Sequence, residues 1–187
     1  AQVYAPAFTN YVEGIYVGYK YYETAAQEGA IDYDKTVQYP FGYGLSYTEF
    51  EQKMGELEEK DGQVSVDVEV TNTGDVAGKD VVEVYYKPLY TNGGIEKSSA
   101  NLIEFEKTNL LQPGESQTVT VTFSIEDMAS YDENNAKAYV LEKGDYVISI
   151  NSDSHTVLDQ KTYTADKDVV YKGENKRTSD DTAATNV

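Results

Sequence analysis

The chain contains no cysteine, no tryptophan and a single histidine in 187 residues. The missing cysteine rules out disulfides and thiolate chemistry. It leaves the redox compartment open, because a cysteine-free chain suits either side of a membrane. A lone histidine, His155, cannot build a His-based zinc site. It also leaves no support for a Ser-His-Asp set, since no nucleophile elbow accompanies it. Long apolar runs are absent, and nothing approaches the ~18 residues that cross a bilayer. The start, Ala1-Gln2-Val3-Tyr4, lacks a basic region followed by an apolar one, and it lacks an initiator methionine. No Asn-x-Ser/Thr sequon occurs. The chain therefore reads as an excised or processed piece of something longer. Positive charge is scarce: 15 Lys+Arg stand against 33 Asp+Glu, a net charge of −18. Such a balance repels phosphate backbones and anionic lipid surfaces, so nucleic acid and membranes are not expected partners. The plain consequence of the charge is solubility.

What is present divides into three zones. Residues 1–48 hold ten of the 18 tyrosines. Residues 49–165 are rich in Val, Thr and Tyr, with turn signals between short runs. Residues 166–187 are polar, with few large apolar groups, and have the makeup of a linker.

The central zone reads as β. Val64, Val66, Val68 and Val70 alternate with Ser65, Asp67 and Glu69, the period of a half-buried strand. Asp61-Gly62 ahead of it and Asn72-Thr73-Gly74-Asp75 behind it are turn signals. Val81 to Tyr86 form a second run, stopped at Pro88. Leu102–Phe105 is a short apolar stretch, and Pro113-Gly114 is a turn. Val119, Val121 and Phe123 alternate with threonines, Tyr146, Ile148 and Ile150 alternate again, and Val157–Tyr163 gives a last candidate strand. Glu51–Lys60 has helical propensity, but its place just ahead of the Val64 strand suits an edge strand of the same sheet. Short strands at this spacing predict an antiparallel sandwich, and without cysteine the fibronectin-like class lies nearer than the disulfide-bonded immunoglobulin one.

The densest feature is Tyr39-Pro40-Phe41-Gly42-Tyr43-Gly44-Leu45-Ser46-Tyr47. Burial of such rings is worth about 1.5–3 kcal/mol each, so the run is expected at a seam that pins two packed bodies. Together with Tyr11-Val12-Glu13-Gly14-Ile15-Tyr16-Val17-Gly18-Tyr19-Lys20-Tyr21-Tyr22, it resembles the end of the α/β sandwich domain of glycoside hydrolase family 3. Val70–Val82, Leu102–Lys107 with Leu111–Ser116, and Glu142–Tyr146 resemble successive parts of that family's fibronectin type III-like domain. The likeness covers residues 11 to about 152.

The resemblance implies a mainly β chain. Residues 1–48 would be a remnant of the α/β sandwich domain, 49–165 a fibronectin type III-like (immunoglobulin-like) β-sandwich, and 166–187 a polar linker or tail like that of permuted family members. It implies a parent enzyme, a retaining β-glucosidase or β-xylosidase, whose catalytic barrel and α/β sandwich domain are the partners of this piece. A β-linked glycoside would be met only through that parent, and no cofactor is implied. The family's nucleophile, an Asp commonly within Ser-Asp-Trp, has no counterpart here. Neither Ser152-Asp153-Ser154 nor Ser179-Asp180-Asp181 substitutes for it, and the family's acid/base Glu lies upstream of the matched region. No catalytic residue is carried over.

The seam is expected to hold Glu13, Gly14, Pro40, Phe41, Gly42, Tyr43, Gly44 and Tyr47. Glu13, in an aromatic neighbourhood, reads either as a sugar-binding or acid residue or as a structural acceptor. Gly42-x-Gly44 lacks the third glycine and the basic residue of a phosphate loop, so it reads as a turn between rings. Tyr43 and Tyr47 read as seam packing or as sugar-stacking rings. His155 reads as an exposed residue after a strand, and Asp132-Glu133-Asn134-Asn135 as a solvated turn rather than a calcium loop. Two alternatives remain: a polysaccharide-binding module using a flat row of tyrosines, and a purely structural sandwich.

Overall fold

The computed structural model describes residues 14–181. Ten strands form two facing sheets and a small third one. The first sheet places β2 (Gln63–Asn72) between β1 (Phe50–Lys60) and β5 (Ser116–Ser124). The second runs β4 (Asn101–Lys107), β3 (Val81–Lys87), β8 (Gly144–Asn151), β9 (Val157–Ala165). All pairs are antiparallel.

The valine alternation does what its period requires. Val64, Val66, Val68 and Val70 are buried, in register with Phe123, Val121, Val119 and Gln117 of β5. Val82, Val84, Tyr146, Ile148 and Ile150 of the second sheet close the core from the opposite side. Asp61 and Gly62 both take positive φ, 53° and 79°, between the paired Lys60 and Gln63. That is the backbone a two-residue hairpin needs, and glycine takes its second position without strain. Glu51–Lys60 lies in an edge strand, as its position predicts: pairing with β2 overrides helical propensity, and a bulge falls between Met54 and Leu57.

Three short strands had no strong sequence signal. β6 (Ser130–Asp132), β7 (Ala138–Leu141) and β10 (Val169–Tyr171) form the third sheet, ordered β10-β7-β6. The packed body therefore continues into the stretch expected as linker. Arg177 stacks 3.3 Å above the Tyr139 ring and pairs with Asp180, and the Thr178 N–H donates to Glu126. A strand pair and a guanidinium–ring stack anchor a segment whose composition alone is that of a free tail.

Ahead of the sandwich, α1 (Tyr19–Gln27) and the single turn α2 (Tyr33–Thr36) lie against the outer face of the four-stranded sheet. Among the described residues of 14–48 there is no strand, so the expected α/β character reduces here to helix and irregular chain.

Ile148 is fully buried, whereas Val157 on β9 is 49% exposed. Ile148→Ala should cost about 2–5 kcal/mol in urea unfolding, and Val157→Ala should stay within about 0.5 kcal/mol. Equal losses would contradict this placement of the core.

Candidate functional site: a carboxylate-centred seam

The outer face of the four-stranded sheet carries Glu83 and Tyr85 from β3 and Ser149 and Asn151 from β8, paired Glu83 with Asn151 and Tyr85 with Ser149. Strand alternation puts them on this face because Val84, Ile148 and Ile150 fill the core. The segment 19–42 covers them. Tyr19 stacks on Phe41 with centroids 4.7 Å apart and meets Tyr85 edge-on at 6.2 Å. The Leu102 N–H donates to the Tyr19 hydroxyl (3.0 Å), the Ser99 N–H to Thr24 Oγ1 (3.0 Å), and the Ser154 N–H to the Phe41 carbonyl (2.7 Å).

The centre of this seam is Glu23, on α1 and buried at 7% exposure. Its Oε1 accepts from the Tyr33 hydroxyl (2.6 Å) and the Ser154 hydroxyl (2.8 Å), and its Oε2 accepts from His155 Nδ1 (2.8 Å). The His155 ring lies flat on Tyr33, centroids 3.7 Å apart at 5°. One carboxylate thus joins α1, α2 and the β8–β9 turn. His155 is exposed after a strand, as expected, and it also joins the seam; its partner lies 132 positions away in sequence.

The ring-rich run behaves differently from expectation. Phe41 makes the stack on Tyr19, but Tyr39, Tyr43 and Leu45 stay open and Tyr47 is 98% exposed. Within this chain the sandwich is held by Tyr19, Glu23, Tyr33 and Phe41, and most of the run is left uncovered. Gly42 takes a φ of +86°, which L side chains rarely adopt, and a Cβ there would meet the Glu83 carboxylate, 2.7 Å from Oε2. Pro40 lies two residues ahead of it, and the Pro40 carbonyl accepts the Tyr43 N–H at 3.1 Å. Gly14 and Gly44 are exposed with open space around them. Glu13 lies outside the described residues. The Asp132 carboxylate accepts the N–H groups of Ala136, Asn135 and Asn134, which hold it below the usual carboxylate range and close the turn.

Chemically the seam is a fixed network. A groove of 410 Å³ opens beside it, and Glu23 is the one carboxylate among its lining residues, with both oxygens engaged. Glycoside hydrolysis with retention needs two carboxyl groups about 5–5.5 Å apart across the scissile bond. Burial pushes the Glu83 carboxyl up, and the Tyr85 hydroxyl donates to it at 2.9 Å. Burial, then neighbouring carboxylates, pushes the Tyr33 and Tyr85 phenols above the tyrosine range.

A fibronectin type III-like domain matches residues 80–154, from just before β3 to the turn after β8. A β-glucosidase of Kluyveromyces marxianus is 36% identical over 90% of this chain and 20% of its own length. One of Ruminococcus albus is 39% identical over 83% of this chain and 16% of itself. The structure of β-glucosidase 3B from Thermotoga neapolitana with glucose superposes with a TM-score of 0.72 at 36% identity, covering 87% of this chain and 21% of that one. A family 3 β-glucosidase from Bifidobacterium adolescentis gives 0.70 at 30%, covering 82% and 21%. The chain matches a fibronectin type III-like region of glycoside hydrolase family 3 β-glucosidases. It spans about a fifth of the length of the relatives it matches.

Glu23→Ala would strand two hydroxyls and an imidazole N–H, at a cost of about 2–4 kcal/mol. His155→Phe keeps the stack on Tyr33 and loses one donor, so it should cost less; thermal unfolding compares the two. The tyrosines set an alkaline limit, since burial pushes the Tyr146 and Tyr163 phenols up to about 12. The unfolded chain sheds these protons first, near pH ~10. Their contribution is complete below that pH and is lost as pH rises through ~12. The share of the tyrosinate absorbance that belongs to these two phenols should therefore rise late and together with loss of near-ultraviolet dichroism. Full ionisation near pH ~10 with the fold intact would contradict this.

Proposed function

We propose that this region supports, rather than performs, the hydrolysis of terminal β-glycosidic bonds by a retaining β-glucosidase-like enzyme of family 3. Its neighbours in that enzyme are a catalytic barrel and an α/β sandwich domain, and the segment 14–48 is its joint with them. The observation that carries this reading is the split of the ring-rich segment. One side is bonded to the sandwich through Tyr19, Glu23 and Phe41. The other leaves Tyr39, Tyr43, Leu45 and Tyr47 open to a second body. Contiguous exposed apolar surface of this kind marks an interface.

The names of the relatives and the small share of their length that this chain covers support the same reading. So does the engagement of both Glu23 oxygens in three hydrogen bonds, which fixes that carboxylate as a structural acceptor within the seam. A glucan-binding platform fits less well: the Tyr39 and Tyr43 rings are inclined by 38° rather than coplanar.

The purified chain should release no nitrophenol from an aryl β-glucoside above the buffer blank. Turnover that follows the protein through two purification steps and disappears in Glu13→Ala or Glu23→Ala would overturn the reading.

A further inference from the structure

The connection between β3 and β4 carries Thr91-Asn92-Gly93-Gly94, and all four residues are exposed. The Gly94 N–H donates to the Thr91 carbonyl at 2.9 Å, so Asn92 and Gly93 form the tip of a tight turn. Gly93 has a φ of +81°, and a Cβ there would meet nothing within 4 Å. Among the described residues no hydrogen bond reaches the Asn92 side chain or the Gly93 N–H. An amide carbon and the nitrogen that follows it are therefore both free at one loop tip.

Asparagines elsewhere in the fold are held. The N–H after Asn72 donates to the Glu49 carbonyl, the one after Asn101 to the Tyr19 hydroxyl, and the one after Asn151 to the Thr156 carbonyl. In the Asp132 turn the N–H groups after Asn134 and Asn135 both donate to the Asp132 carboxylate. The Asn175 side-chain amide donates to the Val170 carbonyl. Asn109 is followed by Leu110, whose side chain crowds its own N–H, whereas a glycine has no side chain to do so. Asn92-Gly93 is also the one Asn-Gly pair in the sequence.

We propose that Asn92 is a self-modification site, which converts to aspartyl and isoaspartyl forms without an enzyme. The Gly93 nitrogen attacks Asn92 Cγ and loses its proton to solvent. The new N–Cγ bond closes a cyclic imide, and the Cγ–Nδ2 bond breaks with the amide leaving as ammonia. Water then opens either imide carbonyl, giving an aspartyl or an isoaspartyl residue. Each event makes the chain one unit more negative than −18. The new charge appears in a groove of 390 Å³ that Asn92 lines with Tyr16, Thr24 and Glu28, where the sandwich meets the segment that covers it. This chemistry is independent of the support reading above.

The test is ageing of the full chain in mildly alkaline buffer, folded and in urea, followed by peptide mapping and by hydroxylamine, which cleaves the imide. The folded chain should gain isoaspartate at position 92 and split into fragments 1–92 and 93–187. Its rate should match that in urea, because an open loop tip gives no protection. Asn151, followed by serine but buried, should convert in urea and stay intact in the folded chain. Asn92→Gln should lose both fragments, and Gly93→Ala should slow their appearance; native near-ultraviolet dichroism verifies that the variants fold. Slower conversion of Asn92 in the folded chain than in urea, faster folded-state conversion at another asparagine, or aspartate alone with no isoaspartate and no cleavage would overturn the proposal. The glycoside assay decides the support reading separately.

Discussion

Taking a carboxylate out of water costs several kcal/mol unless donors replace the lost hydration. Glu23 is buried and has three: the hydroxyls of Tyr33 and Ser154, and His155 Nδ1. Because those donors come from α2 and from the β8–β9 turn, the carboxylate can be satisfied only when α1, α2 and the sandwich are docked together. The other seam contacts then follow by geometry. Ser154 donates its N–H to the Phe41 carbonyl, Phe41 stacks on Tyr19, and Gly42, at a φ of +86°, passes over the Glu83 carboxylate.

The sandwich treats its two outer faces in opposite ways. On the three-stranded sheet, Ser65 bonds Thr122, Thr71 bonds Ser116, and Thr120 donates to Asp67. These polar pairs cross neighbouring strands on a face that looks to solvent. The four-stranded sheet instead lies under α1 and α2, with rings, acids and an orphan amide oxygen at the margin.

The long strands were legible because period-two alternation records burial of one face directly, as in Val64 to Val70. The edge strand at Glu51–Lys60 was legible only from its position, since its residues favour helix. The third sheet was not legible: three or four residues per strand carry too little periodicity, and the polar composition after Ala165 masks the Arg177–Tyr139 stack. The seam was half legible. The Tyr39–Tyr47 run announces an interface by its ring density, and Phe41 and Gly42 contact the sandwich there. Glu23 and His155 gave no signal, because a charged residue among tyrosines and a lone histidine acquire meaning only when the fold brings them within a hydrogen bond. Strand alternation cannot report a contact between residues 132 positions apart.

The central claim is that segment 14–48 and the sandwich form one cooperative body. Hydrogen exchange of three amides tests it most directly: Ser99, Leu102 and Ser154, whose N–H groups donate to Thr24, Tyr19 and Phe41. The account predicts protection equal to that of core amides such as Val66 and Ile148, lost together with them when the chain unfolds. Exchange of these three at rates of open loop amides, while the core stays protected, would contradict it.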